Sequence, residues 1–304
     1  MDGREIRRLE LNRVLVELAR ASAEAEESLE TAFGRIARAA AETLAVERVS
    51  VWLYNEDRSA IRCAELYELT PDRHSRGQEL SAPSYPSYFQ ALESERTIAA
   101  DEVCSDPRTR ELTAGYLEPL GIASMLDAPI RAGGRMIGVV CHEHVGPIRR
   151  WTEDEQSFAG SIADAASLVV EGNERRRTEA ALRESEERYR RIVETAMEGI
   201  WSVDARGFTT YANPRMAEML GYSIEELIGK NAFDLAYPGD VERAYEHWER
   251  RREGVAERPE FRFVRKDGSI LWTYCSATPL LDASGRFLGS FAMVIDITDR
   301  RRAE

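Results

Sequence analysis

Between residues 4 and 44 the apolar positions recur three and four apart, the spacing of one face of an α-helix. Ile6, Leu9, Val14 and Leu18 make a narrow first stripe, and Leu29, Phe33, Ile36, Ala40 and Leu44 make a second. The polar stretch 22–28 marks a break between them. The first helix has little of its own to pack on, so it is expected to join a helical bundle at a dimer interface. At Val49 the period drops to two. Residues 49–54 read as a strand, 55–59 as a turn and 60–69 as a second strand. A long polar region follows. Pro86 opens a helix through Tyr88, Phe89 and Leu92, and Leu112, Tyr116, Leu117 and Leu120 suggest another, ended by Gly121. The run 124–130, a Gly133-Gly134 hairpin turn and the apolar strand 136–142 complete this half.

A charged helical run then extends from Thr152 to about Ala196. It opens on Thr152-Glu-Asp-Glu155, in which the threonine hydroxyl can take the amide of Glu155 while the Glu155 carboxylate reaches back. Phe158, Ile162, Ala165 and Val169 keep helical spacing and dock on the preceding half. Past Gly172 only a thin seam remains, Leu182, Ser185, Tyr189, Ile192 and Ala196, between strongly charged flanks. Two accounts fit so narrow a seam. One is a solvated single helix laced with Glu–Arg pairs, the other a parallel pair of helices from two copies of the chain.

The remaining third returns to short strands and helices. Residues 199–204 and 208–212 form a hairpin, and Asn213-Pro214 is a cap followed by proline at the first helical position. Ser223 with Glu226 is a second capping box, and a longer helix opens near Asp240 and stops at Gly254. Strands are expected over 261–266, 270–279 and 287–296.

Composition narrows the function. The 304 residues suffice for two ordinary domains, and 43% hydrophobic with 31% charged residues excludes a disordered chain. A formal charge of -13 argues against a nucleic-acid surface. No apolar run approaches the roughly 20 residues of a bilayer span, and the amino terminus has no signal-type stretch, so a cytoplasmic location is expected. Cys63, Cys104, Cys141 and Cys275 are scattered without a CxxC pair and read as small buried hydrophobes. No phosphate-cradling loop, nucleophile elbow or HExxH is present. His142-Glu-His144 places two imidazoles on one side of a strand, with no third metal ligand evident.

Several motifs resemble known families. Gly121-Ile-Ala-Ser-Met-Leu-Asp-Ala-Pro-Ile130, Gly138-Val-Val-Cys-His-Glu-His144 and the segment 147–159 resemble a GAF domain. That resemblance implies an antiparallel sheet with helices on one face and a small-molecule pocket on the other. Asp204-Ala-Arg-Gly207, Tyr211-Ala-Asn-Pro214, Leu220-Gly-Tyr222, Arg265-Lys-Asp-Gly-Ser269 and Asp296-Ile-Thr298 together resemble a PAS domain, in which Asp-Ile-Thr hands the signal to the next helix. The expected fold class is therefore α+β, two antiparallel-sheet sensory domains joined by a long helical connector. The expected division is an N-terminal helix over 1–21, a GAF-like domain over 22–171, a coiled-coil connector over 172–190 and a PAS-like domain over 191–304. Arg300-Arg-Arg-Ala-Glu304 echoes Arg175-Arg-Arg-Thr-Glu179 and reads as the start of a second connector.

The same resemblances frame the chemistry. Bilin-binding GAF domains attach the chromophore through a cysteine that 106–116 lacks, and the cyclic-nucleotide pattern of other GAF domains is missing. Flavin-binding PAS photoreceptors use a cysteine that 230–236 lacks. Covalent bilin and flavin are thus not expected, and the cofactor stays open. Haem-binding PAS domains take their axial histidine from the helix that carries His247, which lies about a turn from that position. Pocket candidates are Trp52, Tyr54, Tyr88 and His142 in the first domain and Trp201, Asn213, Phe233 and Trp272 in the second, although aromatics also simply pack cores. Leu182, Tyr189, Ile192, Asp296 and Thr298 are candidates for dimer contact and relay.

The expectation is a sensory module, homodimeric through its helices, that passes ligand or redox state to an output domain. That domain is expected to be a two-component histidine kinase, with a cyclic-dinucleotide cyclase or phosphodiesterase as the alternative. No catalytic core is expected within these residues. A thiol-dependent GAF-type reductase is the alternative of another class.

Overall fold

The computed structural model describes residues 3–24 and 27–304. The Ile6 side chain and part of the break expected over 22–28 lie outside the described residues. The chain divides into two compact units, residues 1–179 and 180–304.

In the first unit α1 (Gly3–Glu24) precedes α2 (Leu29–Leu44), which Ser28 caps by accepting the Thr31 amide. The expected stripe on α1 is displaced. Leu11 and Leu18 are buried, with Val14 and Leu15 packed beside them, while Leu9 is exposed. Leu11, Leu15 and Leu18 share one helical face, and it packs into the same core as Phe33 and Ile36 of α2. This helix therefore does have something of its own to pack on, and its apolar face is spent on its own unit.

The strands β1 (Arg48–Tyr54), β2 (Ala60–Glu68), β3 (Arg73–Ser75), β4 (Glu79–Ser81), β5 (Ile98–Ala100), β6 (Ile122–Ala132) and β7 (Arg135–Val145) form one antiparallel sheet in the order β3-β2-β1-β7-β6-β5, with β4 also on β2. On one face lie α1, α2 and the start of α5 (Glu153–Glu194), around Val49, Val51 and Val140. On the other lie α3 (Pro86–Ser94) and the irregular turns 110–117 that run into α4 (Glu118–Leu120), around Trp52, Cys63 and Val139. The central strands are buried on both sides, which explains their nearly continuous apolar runs. Gly138 in β7 is obligatory, because an added Cβ would stand 2.1 Å from the Trp52 carbonyl oxygen.

The capping box that opens α5 is formed in full. Glu155 N–H donates to Thr152 Oγ1 at 3.3 Å, and Thr152 N–H donates to Glu155 Oε2 at 2.9 Å. Thr152→Ala is expected to cost about 1 kcal/mol, read as a shift of the denaturant midpoint. A midpoint that does not move would show that the Arg149–Glu155 ion pair alone holds this turn. The helix continues through Gly172 without a break for 42 residues, about 63 Å at the usual rise. Its buried residues end at Ser167.

In the second unit β8 (Gly199–Asp204) and β9 (Thr209–Ala212) form the expected hairpin. They are followed by α6 (Pro214–Leu220), α7 (Ile224–Leu227) and α8 (Val241–Arg252), then β10 (Glu260–Val264), β11 (Ile270–Leu281), β12 (Phe287–Asp296) and α9 (Thr298–Ala303). The sheet order β10-β11-β12-β8-β9 is antiparallel throughout. Its inner face carries Trp201, Phe261, Phe263, Leu271 and Val294 against the helices. Tyr274, Met293 and Ile295 stand on the outer face, all exposed. Both units are antiparallel sheets with helices, and α5 is the long helix joining them. No helix among the described residues is long and apolar enough to cross a membrane.

Candidate functional site

In the first unit the face carrying Trp52 holds a buried polar cluster. Tyr88, from α3, donates its hydroxyl to Asp127 Oδ2 at 2.5 Å. Tyr116, from the turn before α4, donates to Glu143 Oε1 at 2.7 Å. Arg48, the first residue of β1, reaches Glu143 Oε2 through Nε at 2.8 Å and Glu68 Oε1 at 2.8 Å. Cys141 lies beside Tyr88, 3.6 Å from its hydroxyl. β6 pairs with β7 so that Asp127 stands opposite Cys141 and Met125 opposite Glu143, which brings two carboxyl groups together under one apolar roof.

Burial sets the charge state of this cluster. Loss of water pushes Asp127 up to about 8, with the Glu143 charge adding to the effect and the Tyr88 hydrogen bond opposing it. Burial also raises Glu143, against the Arg48 cation and the Tyr116 hydroxyl. Asp127 Oδ1 and one Arg48 terminal nitrogen have no hydrogen-bond partner among the described residues.

The four candidates in this unit separate. Trp52 is buried, donates Nε1 to Ser50 Oγ at 2.8 Å and meets Tyr116 edge to face. Tyr88 belongs to the cluster. Tyr54 is half-buried at its margin, beneath the Arg58 guanidinium. His142 does not join them. It pairs with Val49 and shares the side of β7 that Val140 presents to α2 and α5, whereas Trp52 and Cys141 face the other way. Its Nδ1 bonds the Leu126 carbonyl at 2.8 Å, and burial lowers its pKa to about 4, so the ring is neutral. The cluster's Arg48, Asp127 and Glu143 were missed from sequence, although a carboxylate between Leu126 and Ala128 in an apolar strand was a signal that could have found Asp127.

The second unit holds a cavity of about 70 Å³ between the sheet and α8. A single water needs ~10–15 Å³ on the same kind of measure, so there is room for a small ligand. Trp201 and Phe233 line it as expected positions, joined by Trp248, Phe261, Phe263 and Cys275. Phe233 stacks on Tyr245 at 4.4 Å and meets Trp248 edge to face. Asn213 and Trp272 lie elsewhere. Asn213 caps α6 and is fully used, with Oδ1 accepting from Met216 and Ile200 amides and Nδ2 donating to the Val193 and Glu198 carbonyls. Trp272 points to the outer side of β11, where Arg262 and Arg301 cover its ring. Strand alternation decides this, since its neighbours Leu271 and Thr273 take the inner side.

Two polar side chains from α8 also reach the cavity. His247 Nδ1 lies 2.7 Å from Glu257 Oε2, and its buried Nε2 has no partner among the described residues. Arg251 is half-buried, bonded to the His247 carbonyl through Nε at 3.2 Å and only weakly to Ser290 Oγ at 3.4 Å. Burial lowers its pKa, with Cys275 and Glu257 opposing.

The relay candidates fall in two places. Leu182, Tyr189 and Ile192 on α5 are 60, 67 and 58% exposed. The ion pairs Arg175–Glu179, Arg183–Glu187 and Glu184–Arg188 lie along the same stretch at helical spacing. Asp296 accepts the Thr298 amide at 2.8 Å and Arg265 at 2.9 Å, and Thr298 Oγ1 accepts the Trp272 amide, so the end of β12 is tied to the first turn of α9.

Residues 28–170 match the GAF domain family model, and residues 187–297 match that of the PAS fold. The chain is a GAF domain followed by a PAS domain, a sensory module of signalling proteins. It is 34% identical over 197 residues to the uncharacterised protein y4lL of Sinorhizobium fredii, covering 64% of this chain and 23% of that one. It is 31% identical to the two-component sensor PprA of Pseudomonas aeruginosa, over 51% of this chain and 17% of that one. It is also 27% identical to the probable diguanylate cyclase DgcE of Escherichia coli, over 40% of this chain and 11% of that one. The aligned part thus spans less than a quarter of each of these three relatives.

Proposed function

We propose that this chain senses a small ligand or a redox change and relays it, as a parallel homodimer, to an output domain through its connector helices. The observation that carries the reading is α5. It begins inside the GAF core, runs unbroken past the last buried residue, and exposes Leu182, Tyr189 and Ile192 at seam spacing. Exposed apolar residues seven and three apart on a charged helix favour a partner helix. The intrahelical ion pairs, at ~0.3–0.5 kcal/mol each, hold the helix but leave the seam uncovered. The proposed divisions remain 1–21, 22–171, 172–190 and 191–304, in a cytoplasmic location. A histidine kinase of a two-component phosphorelay is the output favoured by the kinship with a two-component sensor. Kinship with a diguanylate cyclase supports a cyclase or phosphodiesterase output as the second reading. Any shift in helix packing is bounded by the ligand's differential affinity for the two packings.

A thiol-dependent reductase is the weaker reading. Burial drives the Cys63 thiol up to about 12 and the Cys275 thiol up to about 11, and raises Cys141 as well, so three of the four are poor nucleophiles.

The test is the mass in solution of the chain and of a variant carrying Leu182→Glu, Tyr189→Glu and Ile192→Glu. A dimer that becomes a monomer supports the seam, with a dissociation constant raised at least a hundredfold. A dimer unchanged by the three charges, or a monomeric parent chain, overturns it.

A further inference from the structure

The PAS cavity contains a cation that the protein does not neutralise. Arg262 and Arg265, half-buried like Arg251, each hold a carboxylate, Asp240 at 2.7 Å and Asp296 at 2.9 Å. Among the described residues Arg251 has none within 4.0 Å. Its strongest contacts are a carbonyl of its own helix and the Trp248 ring, 5.4 Å from the guanidinium carbon. The nearest acid, Glu257, is already engaged by His247 Nδ1 and by Arg250 at 3.0 Å. The second terminal nitrogen of Arg251 has no acceptor among the described residues and keeps some access to water. An arginine fork left in that state is built to receive a bidentate anion.

The rest of the wall sets the other properties of the occupant. Trp201, Phe233, Phe261 and Phe263 are aromatic, and the alanines at 277 and 292 leave space beside them. Glu257 also lines the cavity but is held by His247 and Arg250, so among the described lining residues Arg251 is the guanidinium without a carboxylate partner; it matches one negative charge, and a second would be desolvated without a counter-charge. The unpaired His247 Nε2 adds one polar position on the same wall.

We propose that the PAS cavity binds a small monocarboxylate, with the carboxylate on Arg251 and the short apolar body among Trp201, Phe233, Phe261 and Phe263. This deepens the sensory reading by giving its ligand a chemical class, and only its signalling consequence rests on that reading. Phosphate and dicarboxylates are disfavoured by the same wall, and neutral isosteres lack the charge that the guanidinium selects.

The experiment is calorimetric titration of the whole chain with butyrate and benzoate, each against its amide, and with inorganic phosphate. At least one acid should bind, tenfold or more tightly than its own amide and than phosphate. Arg251→Gln should weaken the acid at least tenfold, and Ala277→Phe, which fills the cavity, should abolish binding. The acid–amide comparison uses the unaltered protein, so it decides even where a variant fails to fold. Equal binding of acid and amide, preference for phosphate, unchanged affinity in a folded Arg251→Gln chain, or no binding of either acid at millimolar concentration would each overturn the assignment. Binding by a chain that proves monomeric would keep this site and remove the relay, so the two failures are distinct.

Discussion

Replacing Arg48 by methionine is expected to destabilise the GAF domain by about 3–5 kcal/mol near neutral pH, the usual cost of removing one partner from a buried ion pair. Arg48 is the cation that faces Glu143, which is 1% exposed and retains only the Tyr116 hydroxyl once the guanidinium is gone. The companion acid Glu68 keeps Arg73, so the deficit falls mainly on Glu143. Its direction with pH follows. Glu143 is already raised above the usual carboxylate range, and losing Arg48 raises it further. Below that pKa the carboxyl is neutral and needs no cation, so the deficit shrinks on acidification and is largest at high pH. Urea denaturation at two pH values measures this, and Arg48→Met combined with Glu143→Gln should recover much of the loss. A loss below 1 kcal/mol, or an equal loss in the double variant, would show that water already reaches this pair.

Asp127→Asn is expected to act in the opposite direction. The native acid titrates near 8 and the unfolded one near 3.8. Between those values the folded state carries a proton that the unfolded chain has released, so wild-type stability falls as pH rises through the window and levels above it. The amide cannot ionise, so this slope disappears in the variant. Its gain over the parent should be near zero around pH 4 and reach the order of 5 kcal/mol at pH 8, from 1.36 kcal/mol for each unit of displacement. Tyr88 keeps an oxygen to bond, since the amide carbonyl replaces the carboxylate oxygen that it contacts at 2.5 Å. Thermal midpoints across that range decide the matter, and parallel pH profiles for the two proteins would refute the buried proton.

Much of the fold was readable because its punctuation is local. Thr152 with Glu155, Ser223 with Glu226 and Asn213 before Pro214 form the caps their residue types imply. β3, β4 and β5 were not readable. Each has three residues and is held only by its partner, β2 for the first two and β6 for the third, which leaves no periodicity of its own. Site residues failed for a related reason. β7 is buried on both faces, so its alternation does not say which side meets the ligand face, and His142 was assigned to the wrong one. Trp272 misled through its size, whereas parity along β11 sends it outward. Arg251 carries no sequence mark at all, being one of three consecutive arginines on α8, and only the fold shows which of them turns inward.

Cys104 is the exposed thiol among four, and the other three are buried with their ionisation suppressed. A maleimide dye at neutral pH should therefore attach at a single place without any residue being engineered away. The GAF domain then carries its own reporter position for fluorescence or spin-label distance measurements between copies.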